Sequence, residues 1–356
     1  MLYFRQAERR LRNLSFVDSQ SVPTKKMKKN VITDKLYGKI IIEEPVIVTL
    51  IQNPSMQRLK GIDQAGFFQP HFRHTKHTRF EHSVGVYYLL RKFGAPLEEQ
   101  IAGLIHDISH SAFSHCIDYA LAGAKEGEQA HQDGIFKEFV MHTDIPKIVK
   151  QYGYVMKDIL DDRRHPLKET TMPDLCADRL DYSLRSALVY NHTPIKKLHY
   201  LLSHLTVKNH AWVFTNYESA KVYAELFYIL NITYYAGLPS AIMFRTVGDV
   251  VSYALKQGYL RKDDLYVTDV HALSILKKNA KNDQKLALLY GRMTNPEGIQ
   301  NNPSSYDSTV ICKSRIIDPY FLDTGKIKRL SEKYPKWKEV IAKELQPKKY
   351  YLKFPK

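Results

Sequence analysis

Three stretches of the chain carry ionisable side chains where a folded core ordinarily excludes them. IAGLIHDISHSAFSH (101–115) sets His106 beside Asp107 and follows them with His110 and His115. Upstream, HTRFEHSVGV holds His82 with Arg79 three residues before it; downstream, LCADRLDYSLRS holds Asp178 and Asp181 in an otherwise apolar pattern. Such groups are costly to bury unless they are paired or hold a metal. An imidazole, an imidazole–carboxylate pair and a distant carboxylate make a mixed nitrogen and oxygen set suited to Mn, Fe, Ni, Zn or Mg, and too poor in sulfur for a thiolate site. Taken singly, a histidine on a core helix is more often structural, and an aspartate near a helix start more often a cap. The ordered set is what sets these residues apart. A zinc pair of His106 and His110 is the competing account, and it leaves Asp107, His82 and Asp178 unexplained.

The elements that must present these groups read as mostly helical. Ile101, Leu104, Ile105 and Ile108 fall at i, i+3, i+4 and i+7, which predicts a core helix continuing through the His-Asp pair. On it His106 and His110 share a face, and Asp118 lies one turn past His115, placed to orient its ring. Similar spacing predicts helices in HSVGVYYLLRKF, GIFKEFVMH, PDLCADRLDYSLRSALVY, YESAKVYAELFYILNITYY and SAIMFRTVGDVVSYAL. GKIII reads as a short strand, after which Pro45 starts a helix. HYLLSHLTVKNHAWVFTN suits a hairpin turning at KNH, and STVICKSRIIDPYF a further strand. The expected fold is mostly α with small β-hairpin additions. Its expected parts are a basic arm (1–30), a metal-binding core (31–210) and a helical C-terminal region (211–356) that completes a substrate pocket. The tail LQPKKYYLKFPK is expected at the surface.

With 356 residues and 44% hydrophobic content, the chain can bury a sizeable core. Its net charge of +16 implies attraction to polyanions: nucleotides, nucleic acid or anionic membrane. The run KKMKK and the basic, aromatic tail could contact nucleic acid through phosphates and stacking, although most charge runs are solvated faces. Cys116, Cys176 and Cys312 form no CxxC pair, which favours a reducing, cytoplasmic setting, or a nuclear one in a eukaryote. The N-terminus lacks the apolar core of a signal peptide, and no apolar run approaches the roughly 18 residues that span a bilayer. No membrane partner is expected.

In the order in which they occur, HTRFEHSVGV, LIHDISHSAFSH and ADRLDYSLR resemble the successive motifs of the HD-domain phosphohydrolase superfamily, in its dNTP triphosphohydrolase-like branch. That branch includes the deoxyguanosine triphosphatases and the sterile-alpha-motif HD-domain dNTPase. The lead-in DKLYGKIIIEEPVIVTLIQNPSMQRLKGIDQAG and the late segments KSRIIDPYF and GKIKRLSEKYP extend the resemblance over residues 31 to 345. It implies a helical HD-domain core in which His82, His106, Asp107 and Asp178 bind a divalent metal of unresolved identity. Such a metal can lower the pKa of a water and polarise a phosphoryl group. By the same resemblance Arg79 contacts phosphate, His110 and His115 face the phosphates with Asp118 behind His115, and His131 in GEQAHQDGIFKEF is a catalytic imidazole. Gln132 stands where that imidazole's usual glutamate partner would be, with Asp133 beside it as a substitute carboxylate. Gln64 in IDQAG is implied beside the deoxyribose, and Arg179 and Tyr182 near phosphate and sugar.

The implied reaction is hydrolysis of a dNTP to nucleoside and triphosphate. An HD-type phosphomonoesterase or phosphodiesterase on another nucleotide, or a weakly active nucleotide or nucleic-acid sensor, stays open. The resemblance also suggests a homo-oligomer with regulatory nucleotide binding at a subunit interface. Three departures stand out. Ser186 takes the place of an aspartate near the sugar 3′-hydroxyl, and Leu230 and Leu238 stand where an arginine and a tyrosine would meet the polyphosphate. A longer loop, QPHFRHTKHTRF, replaces a short turn, and its His71, His74 and His77 read as solvated and phosphate-facing, ahead of a second metal site.

Overall fold

The computed structural model describes residues 30–121 and 128–355. KKMKK and the rest of the expected arm up to residue 29 lie outside them. Strands β1 (Asn30–Asp34) and β2 (Gly38–Ile42) form an antiparallel hairpin. Asp34 Oδ1 closes its turn by accepting the Leu36 and Tyr37 N–H groups at 2.8 and 2.9 Å, and Gly38 follows in the left-handed region at φ 75°. Pro45 opens helix α1 (Pro45–Gln52), where its missing N–H goes unnoticed.

Helix α2 (Arg79–Lys92) begins at a capping box: Thr78 Oγ1 accepts the Glu81 N–H while Glu81 Oε2 accepts the Thr78 N–H. This fixes Arg79 and His82 one turn apart on the same face. Helix α3 (Leu97–Ile105) packs on α2, and α4 (His131–Met141) and α5 (Ala177–Val189) follow. The hairpin expected at KNH is β3 (Leu205–Lys208) with β4 (Ala211–Phe214), its turn made by Asn209 and His210 at φ 51° and 57°. Helices α6 (Tyr217–Leu230) and α7 (Leu238–Lys256) are separated by a π-helical turn, Asn231–Tyr235. Helix α8 (Asp269–Asn279) precedes the last strands, β5 (Gln300–Asn301), β6 (Ser308–Cys312), β7 (Tyr320–Asp323), β8 (Lys326–Arg329) and β9 (Lys348–Lys353). They complete sheets of order β3-β4-β7-β8 and β5-β9-β6. The fold is mostly α with small sheets.

Two expectations are corrected here. The basic tail is no loose surface end: β9 is the middle strand of its sheet, with Leu352 and Phe354 buried. The span Tyr217–Lys256 does reach a length and hydropathy compatible with a membrane, but 56% of its most apolar window is buried inside the fold. α6 and α7 are core helices broken in the middle. One hydrophobic cluster runs from Leu36 to Phe354 and draws on both the expected core and the expected C-terminal region.

Gly85 on α2 lets α5 approach closely: a Cβ there would lie 1.9 Å from Asp181 Oδ1 and 2.4 Å from Arg185 Nη2. Gly85→Ala should therefore force open a buried ion pair and cost about 3 kcal/mol. The expected result is a clearly lower thermal midpoint by circular dichroism, with native helicity kept in the cold. An unchanged midpoint would show that the pair has room to move.

Candidate active site

The helix expected through IAGLIHDISHSAFSH ends at Ile105. The apolar stripe is buried as expected, but the His106 Nδ1–H turns back onto the Gly103 carbonyl at 2.8 Å, and i to i+3 bonds at Ile108 and His110 replace the helical ones. Phe113 and Ser114 then adopt φ 62° and 45° before a 3-10 turn, Ser114–Tyr119. Ser109 Oγ bonds the Gln132 carbonyl at 3.2 Å and Ser114 Oγ the Asp63 carbonyl at 2.6 Å, long-range contacts that the local periodicity does not show. His106 and His110 consequently share a site and not a helical face.

Four side chains meet where α2, the end of α3 and α5 converge. His82 Nε2 lies 2.8 Å from Asp178 Oδ1, 3.2 Å from His106 Nε2 and 3.7 Å from Asp107 Oδ2. His106 Nε2 is 3.4 Å from Asp107 Oδ1 and 3.5 Å from Asp178 Oδ1. The donor atoms of His82, His106 and Asp107 all lie within 4.8 Å of one another, which suits ligands grouped at roughly 2.1 Å around a common centre, with Asp178 against both imidazoles. Each imidazole gives its Nδ1–H away, His82 to Asp181 Oδ2 at 2.8 Å and His106 to Gly103, so both Nε2 atoms turn inward. Two such nitrogens 3.2 Å apart need a cation between them, and the donor set fits a divalent metal. Without one, a proton fills the place: burial alone would lower the His82 pKa, but Asp178, Asp181 and Asp107 push it up to about 9.

Asp181 is itself held by Arg185 through Nε at 3.0 Å and Nη2 at 2.9 Å, and by the Tyr37 hydroxyl at 2.8 Å, while Arg185 Nη1 reaches Asp34 at 2.8 Å. Burial disfavours the Asp107 carboxylate, yet Arg79 Nη1 at 2.7 Å, with the neighbouring imidazoles, holds its pKa well below the usual range.

His106, Asp107 and Asp178 open onto a cavity of about 470 Å³, within the range of small-ligand sites. Arg79, His110 and His115 line it beside them. His110 Nε2 stands 3.3 Å from Asp107 Oδ1, and burial with the Arg79 charge lowers its pKa to about 4. Burial, then Arg79, likewise keeps His115 neutral, its ring edge-on to His110 at 5.0 Å. Gln64, Tyr182, Ser186, Tyr190, Tyr234 and Tyr235 form the other wall. Four buried atoms on these walls, Arg79 Nη2, Gln64 Oε1, Tyr182 Oη and Tyr235 Oη, have no hydrogen-bond partner. A ligand that pairs them removes a standing desolvation cost.

Other sequence-derived residues lie differently. Among the described residues no hydrogen bond joins Asp118 to His115; Asp118 Oδ1 instead accepts the His131 N–H at 3.0 Å. The His131 ring meets the Tyr266 hydroxyl at 3.0 Å, outside the cavity lining, while Gln132 and Asp133 face the cavity and Gln132 Nε2 donates to Asp133 at 2.9 Å. Arg179 lines the cavity but is tied to Glu169 at 3.2 Å and to the Thr170 carbonyl at 2.9 Å. His77 is fully buried, with both ring nitrogens unpartnered, and none of His71, His74 and His77 lines the cavity, so that loop is neither wholly solvated nor phosphate-facing. Sequence reasoning missed Glu169, Lys313 and Arg315, all in the lining. The run CKSR after a strand was the visible trace of Lys313 and Arg315, but nothing local says which cavity it faces.

The family profile of the HD domain matches residues 79–182, the stretch from Arg79 to Tyr182. The chain is 35% identical over 326 residues to the uncharacterized protein YdhJ of Bacillus subtilis, covering 90% of this chain and 98% of that one. It is 32% identical to the metal-dependent phosphohydrolase cns2 of Cordyceps militaris, over 72% of this chain and 76% of that one. With the human deoxynucleoside triphosphate triphosphohydrolase SAMHD1 it shares 30% identity over 171 residues, 40% of this chain and 27% of that one.

Asp181→Asn should weaken metal affinity by roughly 10- to 100-fold, because it misdirects the His82 tautomer. Since the folded His82 pKa lies above its ordinary 6.5, its contribution to the metal-free fold is complete below that pH and is lost as pH rises through about 9. Metal affinity runs the other way, rising from pH 6.5 to 9 as the competing proton leaves. Calorimetric titration with Mn2+ across this window reads both effects; a flat affinity would count against the shared site.

Proposed function

Because the chain belongs to the HD-domain metal-dependent phosphohydrolases, we propose that it hydrolyses deoxynucleoside triphosphates to nucleoside and triphosphate. The observation that carries the reading is the line of unpartnered polar groups beside the ligand cluster. Arg79 Nη2 points where a phosphoryl oxygen would lie, and Gln64, Tyr182 and Tyr235 offer neutral partners for a sugar and base. The local similarity to SAMHD1 supports the same substrate class.

A divalent cation held by His82, His106, Asp107 and Asp178 supplies electrophilic polarisation of the phosphoryl group and acidifies water. Arg79 is fixed by Asp107 and by the Ser114 hydroxyl at 3.1 Å, so its remaining Nη2–H donors are pre-aimed at developing phosphoryl charge. His115, neutral and cavity-lining, accepts the proton of the attacking water. His110, neutral and beside Asp107, orients that carboxylate and donates to phosphate without adding charge. His131 and Asp118, bonded to each other behind the wall, position the Gln132–Asp133 segment. Tyr182 stacks the sugar side against the ligand cluster, its ring 6.5 Å from His82.

A panel of dNTPs, NTPs and nucleoside monophosphates with Mn2+ or Mg2+ tests the proposal. Triphosphate release from dNTPs, abolished in Asp107→Ala and lowered roughly 10²- to 10³-fold in kcat by Arg79→Lys, is expected. Phosphate release from monophosphates alone would assign a phosphomonoesterase instead, and nucleotide binding without turnover under any metal would make the protein a sensor.

A further inference from the structure

We propose that Lys313 and Arg315 grip the part of the substrate's phosphate chain lying beyond the phosphoryl group at the metal ligands. The proposal rests on the nucleoside triphosphate reading and names the residues that would make the site prefer a polyphosphate. It also relocates that role, from the helix pair α6–α7 to the segment after β6.

The helix pair supplies no cation. Leu230 is buried in the hydrophobic core, Leu238 packs against it, and neither lines the cavity. What the break between them contributes is Tyr234 and Tyr235, whose hydroxyls are neutral.

The cations that do line the cavity divide by whether they are already answered. Arg79 faces Asp107 at 2.7 Å, Lys168 faces Asp162 at 2.6 Å and Arg179 faces Glu169 at 3.2 Å. Lys137 is exposed on α4. Lys313 and Arg315, both half-buried, meet no carboxylate among the described residues. Arg315 bonds only neutral oxygens, Gln129 Oε1 at 2.9 Å and the Lys313 carbonyl at 3.3 Å.

Nor are these two side chains on a loose loop. The Arg315 N–H donates to Asn231 Oδ1 at 2.8 Å, and Asn231 is clamped by Ser314 Oγ at 2.9 Å and Glu344 Oε2 at 3.0 Å. Gln129, in turn, bonds the Tyr119 hydroxyl at 3.2 Å. Holding two cations in a partly buried place with no carboxylate at ion-pair distance among the described residues is costly: burial and the Arg315 charge lower the Lys313 pKa, and Asp133 and Glu169 offset this only in part, from farther off. Both residues line the same cavity as His115 and Arg79. Asp107 is shared between Arg79 and the ligand cluster, so a bound polyphosphate would find further counter-charge at Lys313 and Arg315.

Calorimetric binding of inorganic tripolyphosphate and of orthophosphate to the Mn2+-loaded protein tests this without turnover. The wild type should bind tripolyphosphate at least about tenfold more tightly than orthophosphate. Lys313→Ala and Arg315→Ala should each weaken tripolyphosphate by about tenfold, and the double variant by about a hundredfold, with orthophosphate little changed. Arg315→Lys should recover part of the loss. Equal weakening of both anions, or a double variant that keeps the wild-type preference, overturns the proposal. Panel hydrolysis on the same preparations separates it from its premise. Anion binding that behaves as expected in a protein releasing no triphosphate upholds the anchor and rejects the hydrolytic reading. Triphosphate release in the wild type with undiminished anion binding in the double variant rejects the anchor alone.

Discussion

The contact on which the site depends is the hydrogen bond from His82 Nδ1 to Asp181. It decides which nitrogen of a fully buried imidazole faces His106, Asp107 and Asp178, and that choice lets His82 join His106 and Asp107 as a candidate metal site. A buried carboxylate is tolerable only if it is itself answered, and Asp181 is answered by Arg185, which is answered again by Asp34. The chain of charges therefore runs from the first hairpin, through α5, to α2. The turn at Asp34 and the absent side chain at Gly85 are as much parts of the centre as the ligands are.

The cavity around this centre separates charge from neutrality. Its histidines, His110 and His115, are kept neutral by burial and by Arg79, so they can exchange protons and hydrogen-bond without competing with phosphate for cationic charge. The fixed positive charge comes chiefly from guanidinium groups, which cannot be titrated away near neutral pH. The opposite wall is tyrosine and glutamine, polar and uncharged.

Much of this was legible because ligand chemistry is written in residue types. His82, His106, Asp107 and Asp178 stand out as ionisable groups in apolar helical patterns, and the fold brings them within 3.7 Å of His82. The helical class and the hairpin at Asn209 and His210 were legible from periodicity and turn chemistry. The course of the chain after Ile105 was not, because apolar spacing continues there while Phe113 and Ser114, in the left-handed region, bend the backbone away. Asp118 was placed by spacing against a ring it does not bond, since a 3-10 turn advances each residue by a different angle from an α-helix, and His131, read from its motif, has its ring on Tyr266 instead. Glu169, Lys313 and Arg315 stayed hidden because they reach the cavity only through long-range packing.

Leu230 and Leu238 looked like erosion of a polyphosphate site, and the fold gives them another meaning. The helix they belong to breaks at Asn231, and the break does two things at once. It brings Tyr234 and Tyr235 into the cavity wall, and at its start the Asn231 side-chain amide holds Ser314, Glu344 and the Arg315 N–H. By breaking, the same turn shapes the neutral wall and fixes the segment that carries the cations, so apolar residues on the helix and charged residues after β6 are two consequences of one local geometry.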